Sequence, residues 1–333
     1  MAAVGRVDVA VVGGGPAGAV TALLLARAGR HVAVYAQSRH EALRLDEAPP
    51  PSVNPLLRKL GLWDRFLADS GRLGPMVVEA AEQAGAKVLR GACVGKVSRS
   101  STGLRIEADK PALAKMVVDA TGRTARVARA FGAHCVPFEK LVCVARVFDI
   151  SPESAGDTFI EAAPDGWWHV SPLPHRRRII SLFTDAQEAA RSRLATVDGW
   201  TRAMARTEHV RDLASGVPCG KIRVTTSTSH ELAPPVGEDW IAVGDAAFAV
   251  DPLSSDGVEF ALRSAIGAAE VLLGGDRSAY RRQVADEASA YRRLRASRRV
   301  GQPLASRAET SRAVGIDGAA PSRSTEQDAA ALA

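Results

Sequence analysis

The sequence predicts an α/β protein in which a parallel sheet and a smaller antiparallel sheet share one chain, followed by C-terminal helices. A β-branched run and an Ala/Leu-rich stretch, separated by glycines, open the chain over residues 7–28. Short strand patterns dominate residues 87–223, and long helical patterns return after residue 257. The 333 residues suffice for about two domains. The 46% hydrophobic and 24% charged residues are typical of globular proteins, which excludes a disordered or fibrous chain.

The first unit of the chain has the pattern strand, glycine-rich turn, helix, strand. Val7–Val12 is a continuous apolar run of strand length, as expected for a strand buried on both faces. The helical stretch that follows the glycines ends at Ala28 and is closed by Gly29, and His31–Tyr35 is the second strand. This context predicts a Rossmann-like unit that binds a dinucleotide.

The glycine-rich turn carries the binding chemistry of that unit. Gly13 permits the tight turn, Gly15 lets the backbone approach a pyrophosphate, and Gly18 lets helix and strand pack closely. Pro16 and Ala17 open the helix between them, and its free amides and dipole favour a phosphate there.

One expected part of the unit is missing. The second strand of such units usually ends in an acid that accepts hydrogen bonds from the ribose, but Ala36 occupies that position. Gln37 or Ser38 could substitute as a neutral hydrogen-bonding group.

Two later segments add to the site. Asp119-Ala120-Thr121-Gly122-Arg123 follows a predicted strand, so Thr121 and Gly122 should lie at the carboxyl edge of the sheet, where ligands bind in open α/β folds. A strand at 240–243 is followed by Gly244-Asp245-Ala246-Ala247, and a loop at 251–257 opens a helix that runs to about Leu273.

Composition excludes several function classes. The net charge of +6 rests on 36 Arg against 7 Lys, and the densest basic stretch, residues 277–312, contains only two aromatic residues. Spread-out arginine charge without a nucleic-acid motif predicts no nucleic-acid partner. No uncharged run reaches the roughly 20 residues of a membrane span. The four cysteines have no metal-ligand spacing and are expected as buried thiols in a reducing cytoplasm.

Three segments of the chain together resemble the motifs of FAD-dependent monooxygenases of the glutathione-reductase-like superfamily: GGGPAG, DATGR and GDAAFAVDPLSSDGVEFALRSA. The segment PDGWWHVSPLPHRRRIISLFTD is similar to one branch of it, which contains the tryptophan halogenases and the maturation flavoproteins of quinone cofactors (the lysine-epsilon-oxidase and quinohaemoprotein amine dehydrogenase maturases). The resemblance covers residues 7 to about 299.

The resemblance implies FAD as cofactor and gives each motif residue a role. The three glycines would hold the pyrophosphate, and Val94 would contact the adenine through its backbone. Asp245 would accept hydrogen bonds from the ribityl chain, and Pro252 would lie against the isoalloxazine. The amides of Gly257 and Val258, at a helix start, would stabilise negative charge on the reduced flavin. Electrons would come from NAD(P)H or from a separate flavin reductase.

The implied activity is hydroxylation of an aromatic or indole-type group through a flavin hydroperoxide. The substrate could be a small molecule, carrier-bound or peptidyl. Its predicted contacts lie on a strand that crosses above the flavin and on a preceding linker: Trp167, Trp168, His169, Ser171 and Glu47. Core packing stays open for the tryptophans, a structural role for His169 and a solvated linker position for Glu47.

Three alternative functions stay open. The first is a halogenase, which would carry the motif W-x-W-x-I-P and an activating lysine. At the motif positions this chain has Trp167, His169, Ser171 and Pro172, and no lysine lies between Lys59 and Lys87. A flavin-binding partner without turnover is the second, because Ala36 departs from the pattern and the family usually inserts several tens of residues between Leu67 and Met76. A prenyl-chain reductase is the third.

The predicted domains are interleaved, with the FAD-binding fold interrupted by the substrate sheet. The boundaries are 1–50, 85–135 and 232–275 for the FAD-binding domain, 51–84 and 136–231 for the substrate domain, 276–312 for C-terminal helices, and 313–333 for a disordered tail.

Overall fold

The computed structural model describes residues 4–37, 50–68, 73–151, 158–173, 175–254 and 256–299. Its largest element is a seven-stranded sheet in the order β3-β2-β1-β6-β5-β4, with β14 also paired to β6. The strands are β1 (Gly5–Val12), β2 (Val32–Ala36), β3 (Lys87–Arg90), β4 (Val94–Ser100), β5 (Gly103–Ala108), β6 (Ala112–Asp119) and β14 (Trp240–Ala242).

The centre of this sheet is parallel, as the sequence predicts. β1 lies between β2 and β6 and runs parallel to both, and β14 runs parallel to the last residues of β6. β4 and β5 form an antiparallel hairpin that leads into β6. These three strands form a small antiparallel meander at one end of the main sheet. Because β1, β6 and β14 end side by side, the turns after these strands come together at one edge.

Helices cover one face of the sheet. α1 (Pro16–Arg27), α4 (Leu73–Gln83) and α9 (Gly257–Leu272) share a core with Val9 and Val11 of β1. α2 (Asn54–Lys59) and α3 (Trp63–Ala68) contribute to the same core through Leu57 and Phe66. The opposite face packs Ala10 and Val12 against the β4–β5 hairpin.

An antiparallel sheet of five strands forms the second unit, in the order β12-β8-β11-β10-β9. Its strands are β8 (Leu141–Asp149), β9 (Phe159–Ala163), β10 (Gly166–Leu173), β11 (Arg177–Asp185) and β12 (Val217–Thr226). The segment between β11 and β12 contains three short helices, because turns interrupt it after Arg191 and Met204. They are α6 (Ala186–Arg191), α7 (Val197–Met204) and α8 (Val210–Leu213), which pack on one face of this sheet.

A three-stranded sheet in the order β15-β13-β7 and a C-terminal helix complete the fold. The strands are β7 (His134–Pro137), β13 (His230–Ala233) and β15 (Phe248–Ala249); α5 (Arg126–Ala130) precedes β7, and α10 (Arg277–Arg299) follows α9. Tyr291 of α10 packs on Phe138 and Phe248, with ring centroids 5.8 Å apart in each pair. The C-terminal helix is therefore part of the core that supports the turn after β15.

The described ranges bear on two further expectations. None of their helices has both the length and the apolar character needed to cross a membrane, and within them no cluster of potential metal ligands occurs. The predicted tail at 313–333 lies outside the described residues, and the domain division stays a prediction.

Candidate active site

A cavity of about 950 Å³ opens at the carboxyl edge of the parallel strands. Such a volume is in the range of small-molecule and cofactor sites. Ser38, the alternative to Gln37, lies outside the described residues. The other residues that the sequence predicts to contact the cofactor all line the cavity: Gly13, Gly15, Pro16, Ala17, Gly18, Gln37, Val94, Thr121, Gly122, Gly244, Asp245, Pro252, Gly257 and Val258. Three motifs far apart in sequence thus meet in one cavity, although the contact of each residue with the cofactor stays a prediction.

The glycine turn is shaped so that side chains are excluded from it. Gly13 has φ +121°, and a Cβ there would lie 2.0 Å from the carbonyl oxygen of Ala120. A Cβ on Gly18 would lie 2.1 Å from the carbonyl oxygen of Gly13. α1 begins at Pro16 without a side-chain cap. The bare helix N-terminus therefore faces the cavity, and this arrangement fits a diphosphate.

Asp119 fixes the turn that forms the next wall of the cavity. Its carboxylate is fully buried and accepts hydrogen bonds from the backbone N–H and the hydroxyl of Thr121, at 2.9 and 2.6 Å. Its second oxygen accepts from the N–H of Ala128 at 2.7 Å. Burial raises the pKa of Asp119, and these hydrogen bonds oppose the shift. Asp119 thus positions Thr121 and Gly122 and joins α5 to the end of β6.

Arg123 is the main organising residue that the sequence reading missed. Its guanidinium donates to the carbonyl oxygens of Ser227, Thr228 and Val250, at 3.2, 2.9 and 2.6 Å. Its Nε lies 3.3 Å from Oδ2 of Asp245. Desolvation raises the pKa of Asp245, while the charge of Arg123 opposes that shift. The segment DATGR contains this residue, but its partners lie about a hundred residues away in the chain. No local sequence pattern predicts these contacts.

The turn beside the predicted flavin position is held from two sides. Asp251 Oδ1 accepts a hydrogen bond from the N–H of Leu253 at 2.9 Å. The N–H of Asp251 donates to the hydroxyl of Tyr291 on α10, at 3.1 Å. Gly257 and Val258 follow at the start of α9, so the helix N-terminus points into the cavity. Backbone amides at that position favour a negatively charged group.

The opposite end of the cavity is the predicted adenosine end. Gln37 and Val94 line it, and Arg126 donates a hydrogen bond to the carbonyl oxygen of Val94. Ala36 is buried at the end of β2, and its Cβ faces the backbone of Gly14. No carboxylate therefore stands at the usual ribose position.

The predicted substrate residues of β10 divide between the two faces of the antiparallel sheet. Trp168 is fully buried against Trp200 of α7, with ring centroids 4.8 Å apart, so it belongs to the core on the far face. The prediction of Trp168 as a substrate contact is therefore not supported. Trp167 faces the other way and stacks on Phe183 at 3.9 Å. The pair belongs to a small apolar cluster with Leu141 and Cys143, and Leu253, in the turn next to Pro252, packs against this cluster.

His169 and Ser171 share the face of Trp167. His169 is 6% exposed, its Nδ1 has no hydrogen-bond partner within the described part of the chain, and burial lowers its pKa to about 4. Ser171 Oγ lies 3.5 Å from the hydroxyl of Thr158. Ser181 pairs with His169 across β10 and β11, and Nε1 of Trp167 has no hydrogen-bond partner among the described residues. This face offers neutral polar groups beside an aromatic stack, but none of these residues lines the large cavity. Glu47 lies outside the described residues.

Comparisons with known proteins agree with this geometry. Residues 6–72 match the family described as FAD binding domain. The chain is 24% identical over 330 residues to LodB of Marinomonas mediterranea, named as an FAD-dependent oxidoreductase, with 85% of this chain and 89% of LodB covered. It is also 24% identical over 330 residues to the 1H-pyrrole-2-carbonyl-[peptidyl-carrier protein] chlorinase of Pseudomonas fluorescens, covering 78% of this chain and 74% of the chlorinase.

Solved structures show the same fold. The flavin-dependent halogenase CmlS aligns with a TM-score of 0.72 at 22% identity, covering 86% of this chain, and this chain spans 62% of CmlS. The peptidyl tryptophan dihydroxylase QhpG aligns with a TM-score of 0.68 at 26% identity, covering 91% of this chain and 79% of QhpG. The predicted resemblance is thereby confirmed: this chain is similar to FAD-dependent oxidoreductases, among them flavin-dependent halogenases and a peptidyl tryptophan dihydroxylase, which supports an FAD-dependent enzyme.

Proposed function

We propose that the protein is a monooxygenase that hydroxylates an aromatic or indole-type group of a free, carrier-bound or peptidyl substrate. The observation that carries the proposal is the contact between two units. The apolar cluster of the antiparallel sheet that contains the stacked pair Trp167 and Phe183 packs on Leu253, beside the predicted flavin contact Pro252. An aromatic ring bound there would lie between the flavin site and an aromatic wall.

The chain would hold FAD through backbone groups more than through charged side chains. The amides around Gly13–Gly18 would receive the diphosphate, and Asp245, held by Arg123, would accept hydrogen bonds from the ribityl hydroxyls. Bound FAD, once reduced, supplies the activation of molecular oxygen. The tasks left to the protein are to orient the substrate and to exclude water.

His169 and its neighbours would orient the substrate. Since its pKa is lowered to about 4, the imidazole is neutral near pH 7 and offers one hydrogen-bond donor and one acceptor. Ser171 and the indole N–H of Trp167 lie on the same face. A neutral N–H or O–H on the substrate ring matches these groups, because a charged substituent would be desolvated there without a counter-charge.

Halogenation is the second candidate, and the similarity to the carrier-protein chlorinase favours it. Two features of the chain favour hydroxylation. The W-x-W-x-I-P pattern is replaced by Trp167, His169, Ser171 and Pro172, and no lysine lines the cavity among the described residues.

We further propose that electrons reach the flavin from a separate flavin reductase or from NAD(P)H.

The four cysteines are free thiols, which supports a reducing compartment such as the cytoplasm.

The test compares hydroxylation with halide incorporation in one assay. FAD-loaded protein is supplied with a flavin reductase, NADH, oxygen and chloride or bromide, and is offered indole-type substrates in free and peptidyl form. We expect hydroxylated product detected by mass spectrometry, with no halogenated product. Halogenated product alone would exclude the proposal.

Two neighbouring substitutions show whether the face of Trp167 is used. Trp167→Phe should raise KM for the accepted substrate, because Trp167 faces the Pro252 turn. Trp168→Phe should lower the melting temperature and leave KM unchanged, because Trp168 packs on Trp200 on the far face. Equal effects of both substitutions on KM would contradict this placement.

A further inference from the structure

A second cavity lies on the helical insert of the antiparallel sheet, where the end of α6 meets the flank of α7. It has a volume of about 370 Å³. Four of its lining residues are arginines, and the other three are small: Arg191, Arg193, Arg202, Arg206, Ser192, Gly199 and Ala203. We name it the arginine pocket.

The backbone builds this pocket in a defined way. Gly199, Arg202 and Ala203 are spaced at i, i+3 and i+4, so they share one side of α7, and Arg206 lies in the turn that follows the helix. Gly199 is packed so closely on the preceding turn that a Cβ would lie 2.2 Å from the carbonyl oxygen of Arg193. Gly199 and Ala203 are buried, whereas the four arginines are exposed to solvent.

Arg193 occupies its place at a conformational cost. Its φ is +52°, in the left-handed region that disfavours residues with a Cβ. A glycine would adopt this conformation more readily, yet the chain places an arginine there.

The arginines of the pocket are only half neutralised. Arg191 pairs with Glu188 at 3.0 Å, and Arg206 pairs with the buried carboxylate of Asp165 at 2.6 Å. Arg193 and Arg202 have no acidic partner within the described part of the chain. The pocket therefore carries two uncompensated positive charges beside small residues.

We propose that the arginine pocket binds a phosphate group. Guanidinium groups match phosphate in geometry and can donate two parallel hydrogen bonds each, and a phosphate dianion would neutralise the two unpaired charges. The pocket is distinct from the flavin site, because α7 packs through Trp200 on the face of the sheet opposite to that of Trp167. The proposal stands independently of the hydroxylation proposed above. The phosphate can belong to a free metabolite or to a group attached to a macromolecule.

Calorimetric titration tests the proposal. The protein is saturated with FAD, so that the glycine turn is occupied, and is titrated with orthophosphate in a phosphate-free and sulfate-free buffer. We expect saturable binding of one phosphate per chain that weakens at high salt. Acetate at the same concentration should produce at least tenfold weaker binding. Absence of saturable binding would overturn the proposal.

Three variants locate the binding site. Arg193→Gly removes one unpaired charge and relieves the left-handed strain, so it should keep or raise the melting temperature while weakening phosphate binding at least tenfold. Arg202→Gln should weaken binding similarly. Arg211→Gln is the control, since Arg211 is exposed on the same insert and pairs with Asp212 at 3.7 Å outside the pocket. Wild-type affinity in both pocket variants, or an equal loss in the control, would refute the assignment.

The source of the phosphate is distinguished by a second series with the same variants. Small phosphorylated metabolites and a phosphoserine peptide are titrated in parallel. Tighter binding of the small molecules than of the peptide indicates a free metabolite, and the reverse order indicates a phosphorylated macromolecule. In both cases the affinity should depend on Arg193 and Arg202.

Discussion

Ala36 is the residue at which this chain departs from the usual dinucleotide site. A carboxylate at the end of the second strand normally accepts hydrogen bonds from the ribose, and charge-assisted hydrogen bonds of this kind contribute about 1.5–3 kcal/mol. In this protein Ala36 is buried against Gly14, and the neutral Gln37 lines the cavity beside it. The glycines of the turn that would bind the diphosphate are all present. The adenosine end is therefore expected to bind more weakly than the diphosphate end.

Restoring the carboxylate should strengthen cofactor binding. We expect Ala36→Glu to lower the Kd for FAD about tenfold, measured by quenching of flavin fluorescence, because a carboxylate adds hydrogen bonds worth about 1.5–3 kcal/mol less the cost of its desolvation. Ala36→Gln is the matched control of the same length without charge. An unchanged or higher Kd in Ala36→Glu would mean that Gln37 or another group already binds the ribose.

At the scale of the secondary-structure elements, the sequence predicted those whose pattern is local. The apolar run of β1, the glycine turn and α1 follow from residues within one short segment, and their order is observed. The adjacent tryptophans show where such reasoning ends. Alternation along a strand places Trp167 and Trp168 on opposite faces, but nothing local indicates which face meets the turn at Pro252. Only the packing of α7 against Trp168 decides it.

Arg123 illustrates the same limit for polar contacts. It links the turn after β6 to the turn before β13 and to the end of β15, which are far apart in the chain. One arginine among 36 carries no sign of such a role in the sequence. Its carbonyl partners are backbone atoms, so residue types could not identify them either.

Replacing Arg123 should therefore loosen several elements at once. Arg123→Gln loses most of the hydrogen bonds to Ser227, Thr228 and Val250 and leaves Asp245 without its cation. We expect the free energy of unfolding to fall by about 2–4 kcal/mol and the Kd for FAD to rise at least tenfold. Urea denaturation and flavin titration measure the two effects. Arg105→Gln, on the exposed side of β5, is the control, and an equal loss in this variant would contradict the role of Arg123.

At the scale of the whole molecule, the five-stranded antiparallel sheet meets the flavin site through a face that carries buried, neutral polar groups. His169 lies on the face of the antiparallel sheet that packs on Leu253, next to the turn of the flavin site. It is kept neutral by burial, so its protonation would place an uncompensated charge at the junction of the two units. The stability of the folded molecule should therefore depend on pH through this residue.

The sign of that dependence follows from the pKa of His169, which is about 4 in the folded protein against 6.5 as the ordinary value. Between these values the unfolded chain binds a proton that the folded protein does not, so stability falls as the pH decreases from about 7 to about 4. At 1.36 kcal/mol per pKa unit the contribution approaches about 3 kcal/mol. We expect His169→Gln to remove this part of the pH dependence, measured as the free energy of unfolding in urea at pH 7, 5.5 and 4.

His209→Gln replaces an exposed histidine and should leave the slope of the wild type. If His169→Gln keeps that slope as well, the pKa of His169 does not differ between the folded and the unfolded protein, and burial does not lower it as stated.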